Sequence, residues 1–269
     1  MFYYRKFKIS YYYILLSFDR YLPDGYETRY HISMMIFRSF LFLILFYGLT
    51  ILLVIISIPV LLMPASYTSK LGSLWGKILH FSLSVIPIRF SISGDSQKSK
   101  QVIYAVKHQS AWETIILYWQ LGKPVVVLKK ELLSIPIIGI FMKRAGCIAV
   151  DRNAGMRALK KLKEEAILAS GSGRSILIYP QGTRVSISDK QRPYQIGIFS
   201  IYQALGLPVV PVALDSGRYW PNKKLLKKAG KIDVVFLSQI ETGLTRKEFM
   251  ADLEDMIETK CSELEKKET

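Results

Sequence analysis

Ile103-Tyr104-Ala105-Val106-Lys107-His108-Gln109-Ser110-Ala111-Trp112-Glu113 reads as a strand that runs out into a helix. Ile103–Val106 is a short unbroken apolar run, the pattern of a strand covered on both faces. Ser110 is a residue type that starts helices. Similar short runs recur at Val125–Leu128, Cys147–Val150, Ser175–Tyr179, Val209–Leu214 and Ile232–Leu237. Helical stretches lie between them, and Asn153 is the expected N-cap of a helix over Ala154–Ser170 that ends at Gly171. Strands alternating with helices predict an α/β fold with a largely parallel sheet flanked by helices, placed over residues 89–240. Residues 241–269 predict a C-terminal amphipathic helix. Thr245 and Glu248 form a capping box, and Phe249, Leu253, Met256, Ile257 and Leu264 mark its apolar face.

Upstream, Phe40 to Met63 is a run of 24 residues without a charge. As one helix it spans roughly 36 Å, more than a ~30 Å hydrocarbon core. A cleaved signal peptide is shorter and ends in small residues, whereas this run ends in Met63-Pro64. After Pro64, Leu71, Leu74, Trp75, Ile78, Leu79 and Leu83 fall at helical spacing and predict an amphipathic helix lying on the membrane. Residues 36–88 therefore read as a membrane-anchoring helical hairpin. Lys and Arg on both sides of the run favour both ends on the cytoplasmic face, which a re-entrant hairpin permits. Residues 1–35 are an N-terminal extension. Tyr3, Tyr4, Tyr11, Tyr12 and Tyr13 with Arg5, Lys6 and Lys8 suit an interfacial anchor; Met34 or Met35 as the true start is the alternative.

The 269 residues carry 37 Lys+Arg against 21 Asp+Glu, a net charge of +16, and half are hydrophobic, which excludes a disordered chain. The charge is uneven: residues 65–240 hold 26 basic and 9 acidic residues, net +17, and residues 241–269 hold 5 and 9, net −4. The positive field belongs to the α/β part and attracts polyanions such as lipid headgroups or phosphorylated substrates. With a membrane segment present, the expected polyanion is an anionic membrane rather than nucleic acid. Cys147 and Cys261 lie 114 positions apart and form no metal-ligand spacing, so neither zinc nor a disulfide framework is expected. P-loop, nucleophile-elbow and zinc-protease motifs are absent from the sequence.

His108 stands where open α/β sheets place ligands, at a strand end entering a helix. Residues five apart on one helix are separated by roughly 140°. His108 and Glu113 therefore meet only if His108 precedes the helix and folds back. The pair is then an imidazole oriented by a carboxylate, fit to take a proton from a hydroxyl. On spacing alone a structural His–Glu pair is the competing reading. Tyr179-Pro180-Gln181-Gly182-Thr183-Arg184 follows another strand. Gly182 permits close backbone approach and Arg184 presents a planar fork, so the segment reads as an anion site or as an ordinary turn.

Taken together these blocks resemble the glycerolipid acyltransferase family, in particular the 1-acyl-glycerol-3-phosphate acyltransferases. The family's N-H-x-x-x-x-D stands here as Lys107-His108 to Glu113, and its F-P-E-G-T-R-S as Tyr179 to Val185. A block with a basic strand end and a final [I/V]-D-R spans 128–152, and V-P-V-x-[L/I] ends at Leu214. Lys107 replaces Asn, Glu113 replaces Asp and Gln181 replaces Glu. The resemblance implies transfer of a fatty acyl group from acyl-CoA or acyl carrier protein to lysophosphatidate, with no metal or redox cofactor. It implies His108 and Glu113 as catalytic residues. It implies Gln181, Gly182, Thr183 and Arg184 as substrate-binding residues, with Lys129, Lys130 and Arg152 as further candidates. With the charge distribution around the apolar run, the expected location is the inner (cytoplasmic) membrane, with the catalytic part facing the cytoplasm. Two other readings remain at this stage: a sibling enzyme with another acceptor, such as a lyso-ornithine lipid, and a non-enzymatic membrane-tethered basic protein.

Overall fold

Alternate residues of β2 (Ile103–Val106) feed two different cores, because successive side chains of a strand point to opposite faces. Tyr104 and Val106 pack on one side, Ile103 and Ala105 on the other. The computed structural model describes residues 26–98, 100–187 and 192–266; the Tyr-rich segment before residue 26 lies outside them. The other strands are β1 (Ile88–Ser93), β3 (Val125–Lys129), β4 (Ile148–Val150), β5 (Ile176–Ile178), β6 (Val209–Leu214) and β7 (Gly230–Phe236). They form one sheet in the order β1-β7-β6-β2-β5-β3-β4. The run from β6 to β4 is parallel throughout; β7 pairs antiparallel with β6, and β1 parallel with β7. The expected largely parallel sheet is present.

Helices α1 (Tyr26–Ile56), α2 (Ala65–Ser82) and α3 (Trp112–Gln120) cover the face of Tyr104. Helices α5 (Met156–Ser170), α6 (Gly197–Leu205) and α7 (Arg246–Lys266) cover the other, while α4 (Ile138–Arg144) stands beside α2 at the β3 end. On α7, Phe249, Leu253, Ile257 and Leu264 are buried as the spacing predicts. The capping box is made: Thr245 Oγ1 and N both donate to Glu248 Oε2, at 2.6 and 2.9 Å.

Three local expectations are corrected. The apolar run is not one helix to Met63: α1 stops at Ile56 and a 3-10 turn over Ile58–Leu62 follows. Pro59 lacks the N–H that would continue the helix, so the break precedes Pro64 by a full turn. Asn153 is not the cap of α5. It lies in a 3-10 turn in which its own N–H donates to Asp151 Oδ1 at 3.1 Å, and α5 starts beyond Gly155. Finally, β1 is a strand that the apolar-run pattern does not reveal: its first residue, Ile88, closes the expected anchor and the rest opens the α/β part. It alternates Ile88-Arg89-Phe90-Ser91, and only its end residue Ile88 is fully buried, the pattern of a strand at a sheet edge.

The hairpin of α1 and α2 is fastened to the sheet domain. Trp75 Nε1 donates to Thr50 Oγ1 at 3.0 Å between the two helices, and Phe42 meets Trp220 edge-on at 5.2 Å. Within the described residues, Tyr30–Ile56 is the one helix long and apolar enough to cross a membrane, by length and composition. Helix α2 does not merely lie on a surface; it packs along α3 through two glycines. A Cβ on Gly72 would stand 2.6 Å from the Tyr118 ring, and one on Gly76 2.6 Å from Trp119 Cβ. Gly76→Leu is therefore expected to push α2 off α3, at a cost of about 1–3 kcal/mol. Gly48→Leu on α1 meets open space and should cost little. Thermal unfolding of both variants in one detergent checks this; equal melting temperatures would refute the close packing.

Candidate active site

Glu113 enters the site from the first turn of α3, where a negative charge is favoured by the helix dipole. Its carboxylate is fully buried and accepts five hydrogen bonds. Oε1 takes His108 Nδ1 at 2.9 Å, Gln109 N at 2.8 Å and Ser110 N at 2.7 Å. Oε2 takes the hydroxyls of Ser110 at 2.6 Å and Ser216 at 2.8 Å. The loop 107–111 thus folds back over the helix start, and His108 meets Glu113 as the spacing required. Burial pushes the Glu113 pKa up. The hydrogen bond and charge of His108, with the Ser110 contacts, outweigh it and hold the group below its ordinary value. An ionised Glu113 makes Nδ1 the protonated nitrogen of neutral His108 and leaves Nε2 as a base. The ring is stacked on Tyr179, 4.0 Å between centroids, and its side chain is 13% exposed.

His108 opens onto a large cleft that also receives Lys129, Arg152, Gly182, Thr183 and Arg184. The backbone joins the two motifs: Val185 N donates to the His108 carbonyl at 2.8 Å. Gly182 has φ +70°, a conformation glycine adopts freely, and a Cβ there would stand 3.5 Å from the Arg152 guanidinium. Arg152 and the Gly182-Thr183-Arg184 turn therefore share one wall. Two sequence candidates go elsewhere. Lys130 is paired with Asp151 at 3.1 Å, and it is not part of the cleft lining. Gln181 is buried, is not among the lining residues, and donates to Glu258 at 3.4 Å. Lys129 lines the cleft and pairs with Glu131 at 3.1 Å.

A second cavity abuts the cleft through Thr114, Val126, Leu128 and Leu132. It runs between the hairpin of α1 and α2, α3 and α4, and its walls are apolar, with Trp75, Tyr118 and Phe141 among them. The site therefore offers a base and a cationic wall beside an apolar chamber, with Thr114, Val126, Leu128 and Leu132 lining both. Among the described residues no cluster of His, Cys, Asp and Glu is arranged to hold a metal ion.

Sequence reasoning missed the support behind His108, because it comes from α7, about 150 residues away. Buried Lys107 donates to both carboxylate oxygens of Glu258 at 2.6 Å, and Tyr194 donates to Glu258 Oε1 at 2.8 Å. Gln109 Nε2 donates to Glu265 at 3.0 Å, and Gln109 Oε1 accepts from Gly217 N at 3.0 Å. Both neighbours of His108 are thus held by one helix. The unusual Lys107 and Gln181 meet at the same carboxylate, a pairing that no local spacing reveals.

Comparison with known proteins agrees with this geometry. Residues 87–215 match the family model described as Acyltransferase. A 1-acyl-sn-glycerol-3-phosphate acyltransferase of Pseudomonas aeruginosa is 34% identical over 152 residues, 56% of this chain and 59% of that protein. One of Limnanthes alba is 30% identical over 69% of this chain and 67% of its own length. One of Cocos nucifera is 27% identical over 69% and 61%. The match thus spans about three-fifths of the first and the last of these relatives. The crystal structure of a 1-acyl-sn-glycerophosphate acyltransferase from Thermotoga maritima shares the fold, with a TM-score of 0.65, 17% identity, and coverage of 88% and 97% of the two chains.

The buried pair makes a stability prediction. Glu258→Leu leaves the Lys107 ammonium buried without its partner, which should cost about 3 kcal/mol, the low end for such a break because Glu258 is a quarter exposed. Adding Lys107→Met should recover part of that loss. Denaturant unfolding of both singles and the double measures the coupling; simple additivity would show that the two charges do not interact.

Proposed function

We propose, for a chain that belongs to the acyltransferase family, that the cleft transfers a fatty acyl group from a thioester donor to the free hydroxyl of lysophosphatidate, giving phosphatidate. The names of the relatives support this acceptor. The observation that carries the reading is the imidazole of His108, backed by an ionised Glu113, at the junction of a cationic cleft and an apolar chamber.

The acceptor lies with its phosphate on the wall of Arg184, Arg152 and the Gly182 turn. Guanidinium matches two phosphate oxygens with two parallel donors. The glycerol hydroxyl points at His108 Nε2, which takes its proton as the oxygen attacks the thioester carbonyl. The tetrahedral intermediate collapses, the C–S bond breaks, and the imidazolium returns the proton to the leaving thiolate. Glu113 stabilises that imidazolium and keeps the ring oriented. No acyl-enzyme is needed, because the acceptor is itself the nucleophile and binding both substrates makes the attack effectively unimolecular. The donor, coenzyme A or acyl carrier protein, places its acyl chain in the apolar chamber. The charge-free stretch of α1 from Phe40 to Ile56, and the hairpin that α1 forms, hold the protein in the membrane where the acceptor and the product reside.

His108→Ala should reduce turnover by ~10²–10⁴-fold with the fold intact. Arg184→Lys keeps the charge but loses the fork; loss of one charge-assisted contact weakens use of lysophosphatidate by roughly 10- to 150-fold. A two-substrate kinetic matrix on purified variants reads both. Near-normal turnover of His108→Ala would overturn the mechanism, and a defect confined to the donor would remove Arg184 from the acceptor site.

A further inference from the structure

The segment Pro221-Asn222-Lys223-Lys224-Leu225-Leu226-Lys227-Lys228 is an irregular loop before β7. It carries two leucines in the open, Leu225 72% and Leu226 39% exposed, between pairs of lysines. Lys223, Lys224 and Lys228 are exposed as well, whereas Lys227 is buried. The Lys227 ammonium is folded inward, donating to the carbonyls of Lys224 and Leu225 and lying 5.2 Å over the Trp220 ring. The loop is therefore shaped by its own contacts, and its leucines are turned out rather than left over from a poorly packed core.

The loop is also tied to α1. Lys227 N donates to Ser39 Oγ at 3.0 Å, and Ser39 is buried. Ser39 is the residue between Arg38, the last charge on α1, and Phe40, the first residue of its charge-free run. The loop thus stands at the level of the last charge on the helix, where its charge-free run begins, a level that suits a membrane interface. At its other end Asn222 and Lys223 line the cleft that holds His108.

We infer that residues 221–228 form a second membrane contact, in which Leu225 and Leu226 dip into an anionic bilayer surface at the mouth of the cleft. The occupant is set by charge and by continuity. Exposed lysines flank the leucines and match lipid phosphates, each contributing to attraction within a Debye length of the surface. The apolar surface of α1 continues directly from the loop's point of attachment. An irregular backbone is admissible at this depth because the headgroup layer is wet, while leucine side chains reach below it and lysines extend back to the phosphates. The inference rests on the reading that the hairpin sits in a membrane. Its consequence is that the cleft opens at headgroup depth, so a lipid with one free hydroxyl enters sideways without leaving the bilayer.

A fluorescent depth probe tests this. In a Cys147→Ala/Cys261→Ala background, Leu225→Cys carries an environment-sensitive dye in phosphatidylglycerol nanodiscs, with quenching by nitroxides on the lipid tails. Leu52→Cys on α1 is the membrane reference. Leu168→Cys, 78% exposed on α5 across the sheet, is the water reference. The Leu225 probe should shift to the blue of the Leu168 probe and be quenched. A quenched Leu52 probe beside a Leu225 probe that behaves like Leu168 would overturn the inference alone. Absence of quenching at both Leu52 and Leu225 would overturn the membrane reading, and the inference with it. The native chain gives a second measurement without substitutions. Tryptic cleavage after Lys223, Lys224 and Lys228 should slow several-fold in phosphatidylglycerol nanodiscs relative to detergent, while cleavage after Lys98 and Lys100 does not. Equal cleavage of the loop in both would refute immersion.

Discussion

A carboxylate with no access to water must find its donors in the protein, and Glu113 finds five. Each donor fixes something. The two backbone amides set the fold of the loop after β2, the Ser216 hydroxyl ties that loop to the segment after β6, and the imidazole is aimed at the cleft. Burial and ionisation together make the arrangement close to all-or-none, since removing donors leaves a buried charge without solvation. The site is therefore rigid for the same reason that it is basic at Nε2.

The loop that carries His108 is held from both sides of the sheet. Glu113 comes from the face covered by the hairpin of α1 and α2, and Glu258 and Glu265 come from the opposite face through α7. Those contacts draw the side chains of both sequence neighbours of His108, Lys107 and Gln109, to carboxylates of α7. The net negative charge of residues 241–269 thus has a local use: part of it neutralises cations drawn in behind a strongly basic cleft.

Much of this was legible along the chain. Strands β2 to β7 are short apolar runs, and their chemistry is local. The His108–Glu113 pair was legible because both residues lie within one strand-to-helix turn, and Gly182 to Arg184 because they follow one strand. What escaped the sequence was long-range. The edge strand β1 has half-polar alternation rather than an unbroken apolar run, and its pairing with β7 identifies it. Gln181 belongs to an expected binding turn, yet its side chain is drawn toward Glu258 by a helix 77 positions later. Lys130 stands next to Lys129 in sequence, but Asp151 takes it out of the cleft lining. Position 59 shows the opposite fault: its proline was visible, and the helix break follows from it.

The pairing of β1 with β7 also fixes an order of assembly. Ile88 is matched with Gly230, and Ser93 with Val235. At ordinary synthesis speeds of ~5–20 residues per second, the ribosome needs roughly 7–30 s to move from one strand to the other. Throughout that interval α1 and α2 are already synthesised, while β1 lacks the strand it pairs with. The Lys107 ammonium waits longer still, for a carboxylate on the last helix. The growing chain therefore carries an unpaired strand until β7 emerges and an uncompensated cation until α7 does. A chain that stops before residue 230 lacks the strand that pairs with β1, and one that stops before residue 258 lacks the carboxylate that pairs with Lys107.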